Sequence, residues 1–171
     1  MSTLAIIAKD LPIGAVVPDP APEHRAHLSG PALRTFGNIA RLWALSETER
    51  LALLGYPARS TLHKWTNDVR ADRRVTLPFD TLMRLSALFG IYKGLRIVLN
   101  SDPEVAAWLR QPATVLPFAG QSPLELMTEG GFEGLLLVRR YIDAWRGGTW
   151  LSPAERAGIP TTFAPGDIVF E

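Results

Sequence analysis

The spacing of apolar residues along the chain predicts a series of amphipathic helices. Leu33, Phe36, Ile39 and Trp43 recur at intervals of three and four, which places them on one helix face. A second, longer stripe predicts a helix near the middle of the chain, and only Asp167–Phe170 offers a competing strand signal. The predicted helices are Pro31–Ala44, Glu47–Leu54, Ala58–Val69, Pro78–Leu99, Asp102–Arg110, Pro123–Thr128 and Phe132–Arg146, followed by a short turn at Pro153–Ala157.

Four segments share a helix-start signal, Ser-x-x-Glu: Ser46–Glu49, Ser101–Glu104, Ser122–Glu125 and Ser152–Glu155. In such a capping box the serine oxygen accepts a hydrogen bond from the backbone N–H three residues on, and the glutamate accepts one from the serine N–H. In two of the four a proline follows the serine, at the helical position where its missing N–H costs nothing. This repeated signal predicts an all-α fold with short loops.

Prolines and a change of composition mark the two ends of the chain. The first thirty residues contain Pro12, Pro18, Pro20 and Pro22, which predicts an extended arm without a helix. The predicted organisation is a Pro-rich arm (1–30), a helical domain (31–75), a second, small helical domain (76–148) and an acidic, aromatic tail (149–171).

Composition narrows the class of protein. The chain has 171 residues, 47% hydrophobic and 20% charged, which is typical of a folded globular protein of one domain or two small ones. It has no cysteine. A disulfide framework, thiolate catalysis, iron–sulfur clusters and zinc sites with sulfur ligands are therefore excluded.

The sequence shows no catalytic, metal-binding or membrane signature. Gly120–Leu124 departs from the nucleophile elbow because leucine replaces its second glycine. His24 and His27 lie on an arm that offers no rigid further metal ligand. No apolar run reaches the roughly 18–20 residues that span a bilayer, and no Lys or Arg precedes the apolar residues 4–8, unlike a secretory signal. We expect a cytoplasmic, non-enzymatic protein without metal, cofactor or membrane partner.

Charge is concentrated in one segment. Residues 31–75 carry eight arginines and lysines against four acids, residues 76–148 carry seven of each sign, and residues 149–171 carry one against three. A basic segment suits a polyanionic partner, whereas a neutral one suits packing or protein contact.

The basic segment contains two short predicted helices joined by a tight turn, as in a helix-turn-helix. Leu62 and Trp65 share the inward face of the second helix. The outward residue types suit DNA, because Arg and Lys pair with guanine, Asn with adenine, and Ser or Thr with phosphate. A solvated basic face is the alternative interpretation. The predicted DNA-contacting residues are Arg59, Ser60, Thr61, His63, Lys64, Asn67, Arg70, Arg73 and Arg74.

The segment after Thr76 carries a more distinctive pattern. Trp108-Leu109 is followed by Pro112, and a Gly-Gln-Ser-Pro-Leu-Glu-Leu-Met box at 120–127 precedes Gly130. This pattern resembles the toxin-binding domain of the Xre/MbcA/ParS antitoxin family, and the upstream helices are similar to that family's DNA-binding half. The resemblance covers about residues 31–148, and it implies a helix-turn-helix DNA-binding domain at 31–75 and a toxin-binding and dimerisation domain at 76–148. It assigns these residues to the toxin-binding scaffold: Trp108, Leu109, Pro112, Ser122, Pro123, Leu124, Glu125, Leu126 and Met127.

The resemblance implies a type II antitoxin that dimerises, binds a RES-domain toxin acting on NAD and represses its own operon through operator DNA. The residues of the box also have a structural explanation, since Ser122 and Glu125 cap a helix while Leu124 and Leu126 pack. We therefore expect neighbouring exposed apolar groups to contact the toxin. The alternatives are a dimeric helix-turn-helix regulator with no toxin partner and an interaction adaptor with no DNA function.

The acidic tail suggests one further role. An enzyme that grips the pyrophosphate of NAD is expected to present arginines. Acidic and aromatic residues of an extended tail could occupy such a pocket, with carboxylates in place of phosphates and a ring in place of a base. A terminus folded on its own domain is the alternative. The residues considered for this plug are Trp150, Phe163, Asp167, Phe170 and Glu171.

Overall fold

The computed structural model describes residues 21–146, and the regular secondary structure of this part of the chain is α-helical. The all-α prediction is confirmed there. Helices α2 to α7 begin and end within one residue of the predicted bounds. The helices are α1 (Pro22–Leu42), α2 (Glu47–Leu53), α3 (Arg59–Arg70), α4 (Phe79–Val98), α5 (Asp102–Arg110), α6 (Pro123–Glu129) and α7 (Gly131–Arg146).

The prediction of a helix-free arm is wrong for residues 22–30, because α1 begins at Pro22 and not at Pro31. Proline is well suited to the first helical position, so Pro22 starts the helix that it was expected to prevent. Pro31 lies inside α1, and the helix continues through it. Ser29 anchors this stretch: its hydroxyl donates to the Arg25 carbonyl at 2.6 Å and accepts from the Leu77 N–H at 2.9 Å.

Serine caps start three of the helices. Ser46 and Ser122 each form the complete capping box with the glutamate three residues on. Ser101 accepts from the Glu104 N–H at 3.4 Å, but the Glu104 carboxylate accepts from the Asn100 N–H, one residue before the serine. The predicted box at Ser152, the turn after it and the strand signal at 167–170 lie outside the described residues.

One hydrophobic core contains buried residues from every helix of residues 21–146 except α3, which packs partly buried apolar residues against it. Each apolar residue predicted for the inner face of α1 is buried, Trp43 with 1% of its surface exposed. The core includes residues on both sides of the predicted domain boundary at 75/76, so the two predicted domains pack as neighbours with shared apolar contacts. The division itself stays a prediction. The largest fully buried side chains are Trp43, Phe118, Ile39, Leu53, Leu54, Leu77, Leu85, Leu88, Ile91, Leu95, Leu109 and Met127.

Close backbone approach holds the last helices together. Helix α7 packs against α4 and against α6, its two most extensive contacts. A side chain at Gly94 of α4 would overlap Ile142 of α7, and one at Gly134 of α7 would overlap the Leu126 carbonyl of α6. Glycine at these positions lets the helices pack at short distance. Within residues 21–146 no helix is both long and apolar enough to cross a membrane.

Candidate functional site

The residues predicted to contact DNA lie on the surface. All nine are exposed except Thr61, which is half-buried, and those within α3 form a stripe along its outer side. Leu62 and Trp65 face the other way and pack, half-buried, against the core. Helix α3 begins at Arg59, one residue later than predicted, and Ala58 provides no side-chain cap.

Two acids hold the cations of this stripe in place. Asp68, largely buried, accepts from Lys64 at 2.9 Å and from the Arg73 guanidinium at 2.7 Å. These hydrogen bonds, first from Lys64 and then from Arg73, hold the pKa of Asp68 below its ordinary value of 3.8. Glu47 at the start of α2 lies 3.7 Å from both Arg59 and His63. The acids thereby orient four predicted DNA contacts, and they also neutralise part of the positive charge.

A groove of about 710 Å³ lies between α1 and α3, with the start of α2 at one end. His63, Asn67 and Arg70 line it from α3. Arg34 and Asn38 line it from α1, a helix on which the sequence analysis placed no DNA-contacting residue. We call it the α1–α3 groove.

The toxin-binding scaffold predicted from the box is mostly internal. Ser122 and Glu125 form the cap of α6, and the backbone N–H of Ser122, followed by its hydroxyl, lowers the pKa of Glu125 below 4.5. Trp108 and Leu126 are half-buried against the core, whereas Pro112 and Glu125 are exposed. The remaining members are buried: Leu109, Ser122, Pro123, Leu124 and Met127.

Exposed apolar groups lie beside this scaffold, on the loop from 113 to 121. Two backbone hydrogen bonds close its base, from Ala113 N–H to the Gln121 carbonyl and from Gly120 N–H to the Ala113 carbonyl. Phe118, 1% exposed, anchors the loop to the core. The loop therefore holds Leu116, 74% exposed, in a fixed outward position.

Leu116 forms one wall of an apolar cleft of about 270 Å³. The other wall is the outer side of α7, which contributes Leu137, Arg140, Tyr141 and Ala144. Tyr141 also belongs to a cluster of four aromatic rings, where burial raises its pKa above 10.0. The rings of the cluster are those of Trp108, Phe118, Tyr141 and Trp145.

Arg110 connects the unit that carries the cleft to the start of α2. Its guanidinium donates to Glu49 at 2.9 Å and to the Ala44 carbonyl at 2.9 Å. Burial alone raises the pKa of Glu49, but the hydrogen bonds from Arg110 and Ser46 outweigh it and bring the pKa below 4.5. Tyr56, in the turn after α2, donates to the Thr128 carbonyl of α6 at 3.3 Å. The α2 region is thus attached to α5 and α6.

Within residues 21–146 the structure does not assemble the other sites considered from the sequence, the metal site and the plug. His24 and His27 lie on α1 and are both exposed. Residues 21–146 contain no group of three or more histidines and acids placed to hold a metal ion. The residues considered for the plug all lie beyond residue 146, outside the described part of the chain: Trp150, Phe163, Asp167, Phe170 and Glu171.

Sequence reasoning missed two parts of these surfaces. The Val115-Leu116-Pro117 run was readable as apolar residues in a loop between two helices, where exposure is expected. Gly37, inside the helical pattern of α1, was the signal for the α1–α3 groove, since an isolated helical glycine often has a packing or functional reason.

Comparisons with known proteins agree with this geometry. A family model described as the antitoxin Xre/MbcA/ParS C-terminal toxin-binding domain matches residues 94–148. This range contains α5 to α7 and every residue that lines the apolar cleft. The chain is also 40% identical over 116 residues to the uncharacterized protein y4oB of Sinorhizobium fredii, an alignment that covers 68% of this chain and 84% of the relative.

Proposed function

The chain belongs to the Xre/MbcA/ParS antitoxin family, and from that premise we propose that it neutralises a RES-domain toxin by direct binding and represses its own operon. The observation that carries the proposal is the coincidence of the matched toxin-binding domain with the exposed apolar cleft. An exposed apolar side chain beside an apolar cleft is a surface that a protein partner can cover and desolvate. The family supplies the partner, a toxin.

The toxin contact is assigned to the cleft beside the capped helix. Leu116 is the anchor, because a rigid loop presents it and no ordering of the loop is needed on binding. The buried box residues support this surface from below. Their role is to fix the position of α6, on which α7 packs.

Co-expression with the product of the neighbouring gene tests this assignment. Leu116→Asp is expected to weaken capture of the toxin at least tenfold, because it places a charge in the centre of the contact. Cells that produce the toxin are expected to stop growing when this variant replaces the unaltered chain. Ile97→Asp is the matched control, since Ile97 is also exposed, at 57%, but does not line the cleft. If both variants captured the toxin equally well, the toxin would not bind at the cleft.

DNA binding is assigned to α2 and α3 as a helix-turn-helix. Its support is the exposed stripe on α3, which offers guanidinium, ammonium, imidazole and amide groups on one side of a single helix. Phosphate contacts are assigned to Arg73 and Arg74 after the helix. The modest charge of one copy favours binding as a homodimer, which is the assembly proposed within the toxin–antitoxin complex.

A binding titration on the upstream promoter tests the DNA assignment. Arg59→Ala with Lys64→Ala is expected to abolish the specific complex while capture of the toxin is retained. Lys93→Ala with Arg96→Ala, which removes two exposed cations on α4, is the charge-matched control. If the double variant lost both activities, Arg59 and Lys64 would be needed for folding, and their assignment as DNA contacts would fail.

The tail is proposed to enter the toxin's NAD pocket. This proposal rests on the three acids and the aromatic residues of 149–171. Deletion of residues 164–171 is expected to lower the potency of neutralisation while the complex still forms. Unchanged potency at unchanged stoichiometry would reject the plug.

A further inference from the structure

The α1–α3 groove contains a glycine that the packing does not require. Gly37 lies inside α1, where glycine is a poor helix former, and a Cβ built there meets nothing within 4 Å. Gly94 and Gly134, in contrast, each lie against a neighbouring helix that a side chain would overlap. At Gly37 the missing side chain leaves the backbone of α1 open to the groove.

The groove is also strongly basic. Arg34 on one wall, Arg70 on the other and Arg50 at the end face a single acid, Glu47. Arg34 and Arg70 take part in no ion pair within residues 21–146, in contrast to Arg59 and Lys64. Two arginines on opposite walls, with no acid paired to either, create a site for an extended anion.

We propose that the α1–α3 groove seats one strand of the DNA sugar–phosphate backbone. Arg34 and Arg70 bind phosphates from opposite walls, Asn38 and Asn67 add amide donors, and Gly37 permits close approach to α1. This inference rests on the DNA-binding function proposed above and adds α1 to it.

DNA fits the groove better than a protein segment for two reasons. Arginine and asparagine are common donors to phosphate oxygens, and the excess of positive charge in the groove suits a uniformly anionic strand. The groove also borders the outer stripe of α3, because His63 and Asn67 belong to both. A backbone strand in the groove would therefore lie beside the base edges that α3 reads.

Substitutions on α1 separate this role from folding. Gly37→Ala in the full chain is expected to raise the midpoint of thermal unfolding, since nothing opposes the added methyl group, yet to weaken binding to the promoter fragment at least fivefold. Gly37→Leu is expected to weaken it further. Thr35→Ala is the matched control: Thr35 is an exposed residue of α1 that does not line the groove, so stability rises and DNA affinity stays within twofold.

The salt dependence of binding tests the two arginines. Arg34→Ala and Arg70→Ala are each expected to lower affinity and to reduce the slope of log affinity against log salt by about one, the value for one lost phosphate contact. Lys93→Ala, with the same change of charge on α4, is expected to leave the slope unchanged.

The outcomes distinguish this inference from the function on which it rests. Absence of DNA binding by the unaltered chain would overturn both. If Gly37→Leu and Arg34→Ala bound DNA normally while the Arg59 and Lys64 double variant did not, only the proposal for the groove would be overturned. Loss of toxin capture in Gly37→Leu with intact DNA binding would assign the groove to the toxin and would also overturn the inference.

Discussion

Single glycines decide how closely the last helices approach. Because the backbone of α7 at Gly134 lies against the Leu126 carbonyl, Gly134→Ala forces α6 and α7 apart. We expect the free energy of unfolding to fall by about 1–3 kcal/mol, the usual cost of overpacking. Chemical denaturation measures it, with Gly30→Ala as a control that gains stability. An unchanged midpoint for Gly134→Ala would contradict the close approach.

Single carboxylates decide how the fold responds to acid. The pKa values of Glu49, Asp68 and Glu125 are all lowered in the folded state. Each carboxylate therefore stabilises the fold above its unfolded-state pKa, and that contribution is lost as pH falls through the lower folded-state value.

We therefore expect the free energy of unfolding to decline as pH falls below about 4.5, the ordinary value of glutamate. The Glu49→Gln, Glu125→Gln double variant is expected to show a shallower decline, whereas Glu133→Gln on the surface of α7 keeps the original profile. Denaturation at a series of pH values measures both. If the free energy of unfolding of the double variant declined at low pH as steeply as that of the unaltered chain, the carboxylates of the two caps would not stabilise the fold through their charge.

Helix boundaries were the most predictable part of the fold. Serine, proline and glycine at the helix ends predicted α2 to α7 within one residue, because capping is a local interaction that the sequence shows directly. The start of α1 was not predictable in this way. Pro12, Pro18, Pro20 and Pro22 suggested an extended arm up to residue 30. The hydrogen bond from the Leu77 N–H to Ser29, between residues 48 apart in sequence, instead fixes residues 22–30 in a helix.

Asp68 sets how much positive charge α3 presents. Asp68→Asn releases Lys64 and Arg73, so we expect DNA affinity at low salt to rise about threefold, with a steeper salt dependence, as the net charge becomes more positive. The midpoint of thermal unfolding is expected to fall, because the clamp at the end of α3 is lost. Anisotropy titrations measure the affinity, and circular dichroism checks that α3 stays folded. Equal affinity and an unchanged salt dependence, with intact helicity, would place Lys64 and Arg73 away from DNA.

At the scale of the whole molecule, a shared core and polar contacts connect the helices proposed to bind DNA with those proposed to bind the toxin. The core crosses the predicted domain boundary, and Arg110 and Tyr56 attach the α2 region to the toxin-binding unit. The sequence predicted the type of each surface, since the charge of residues 31–75 and the Ser-Pro-Leu-Glu box are local patterns. It did not predict which apolar residues stay exposed, because exposure of Leu116 depends on how the 113–121 loop closes around Phe118.

The toxin is proposed to dock on a preformed surface that α5 to α7 form. Co-expression with the product of the neighbouring gene, followed by size-exclusion chromatography with light scattering, tests it most directly. We predict a single peak that contains both proteins and exceeds the mass of the antitoxin assembly alone. Elution of the antitoxin free of its neighbour, with both proteins soluble and folded, would contradict the claim.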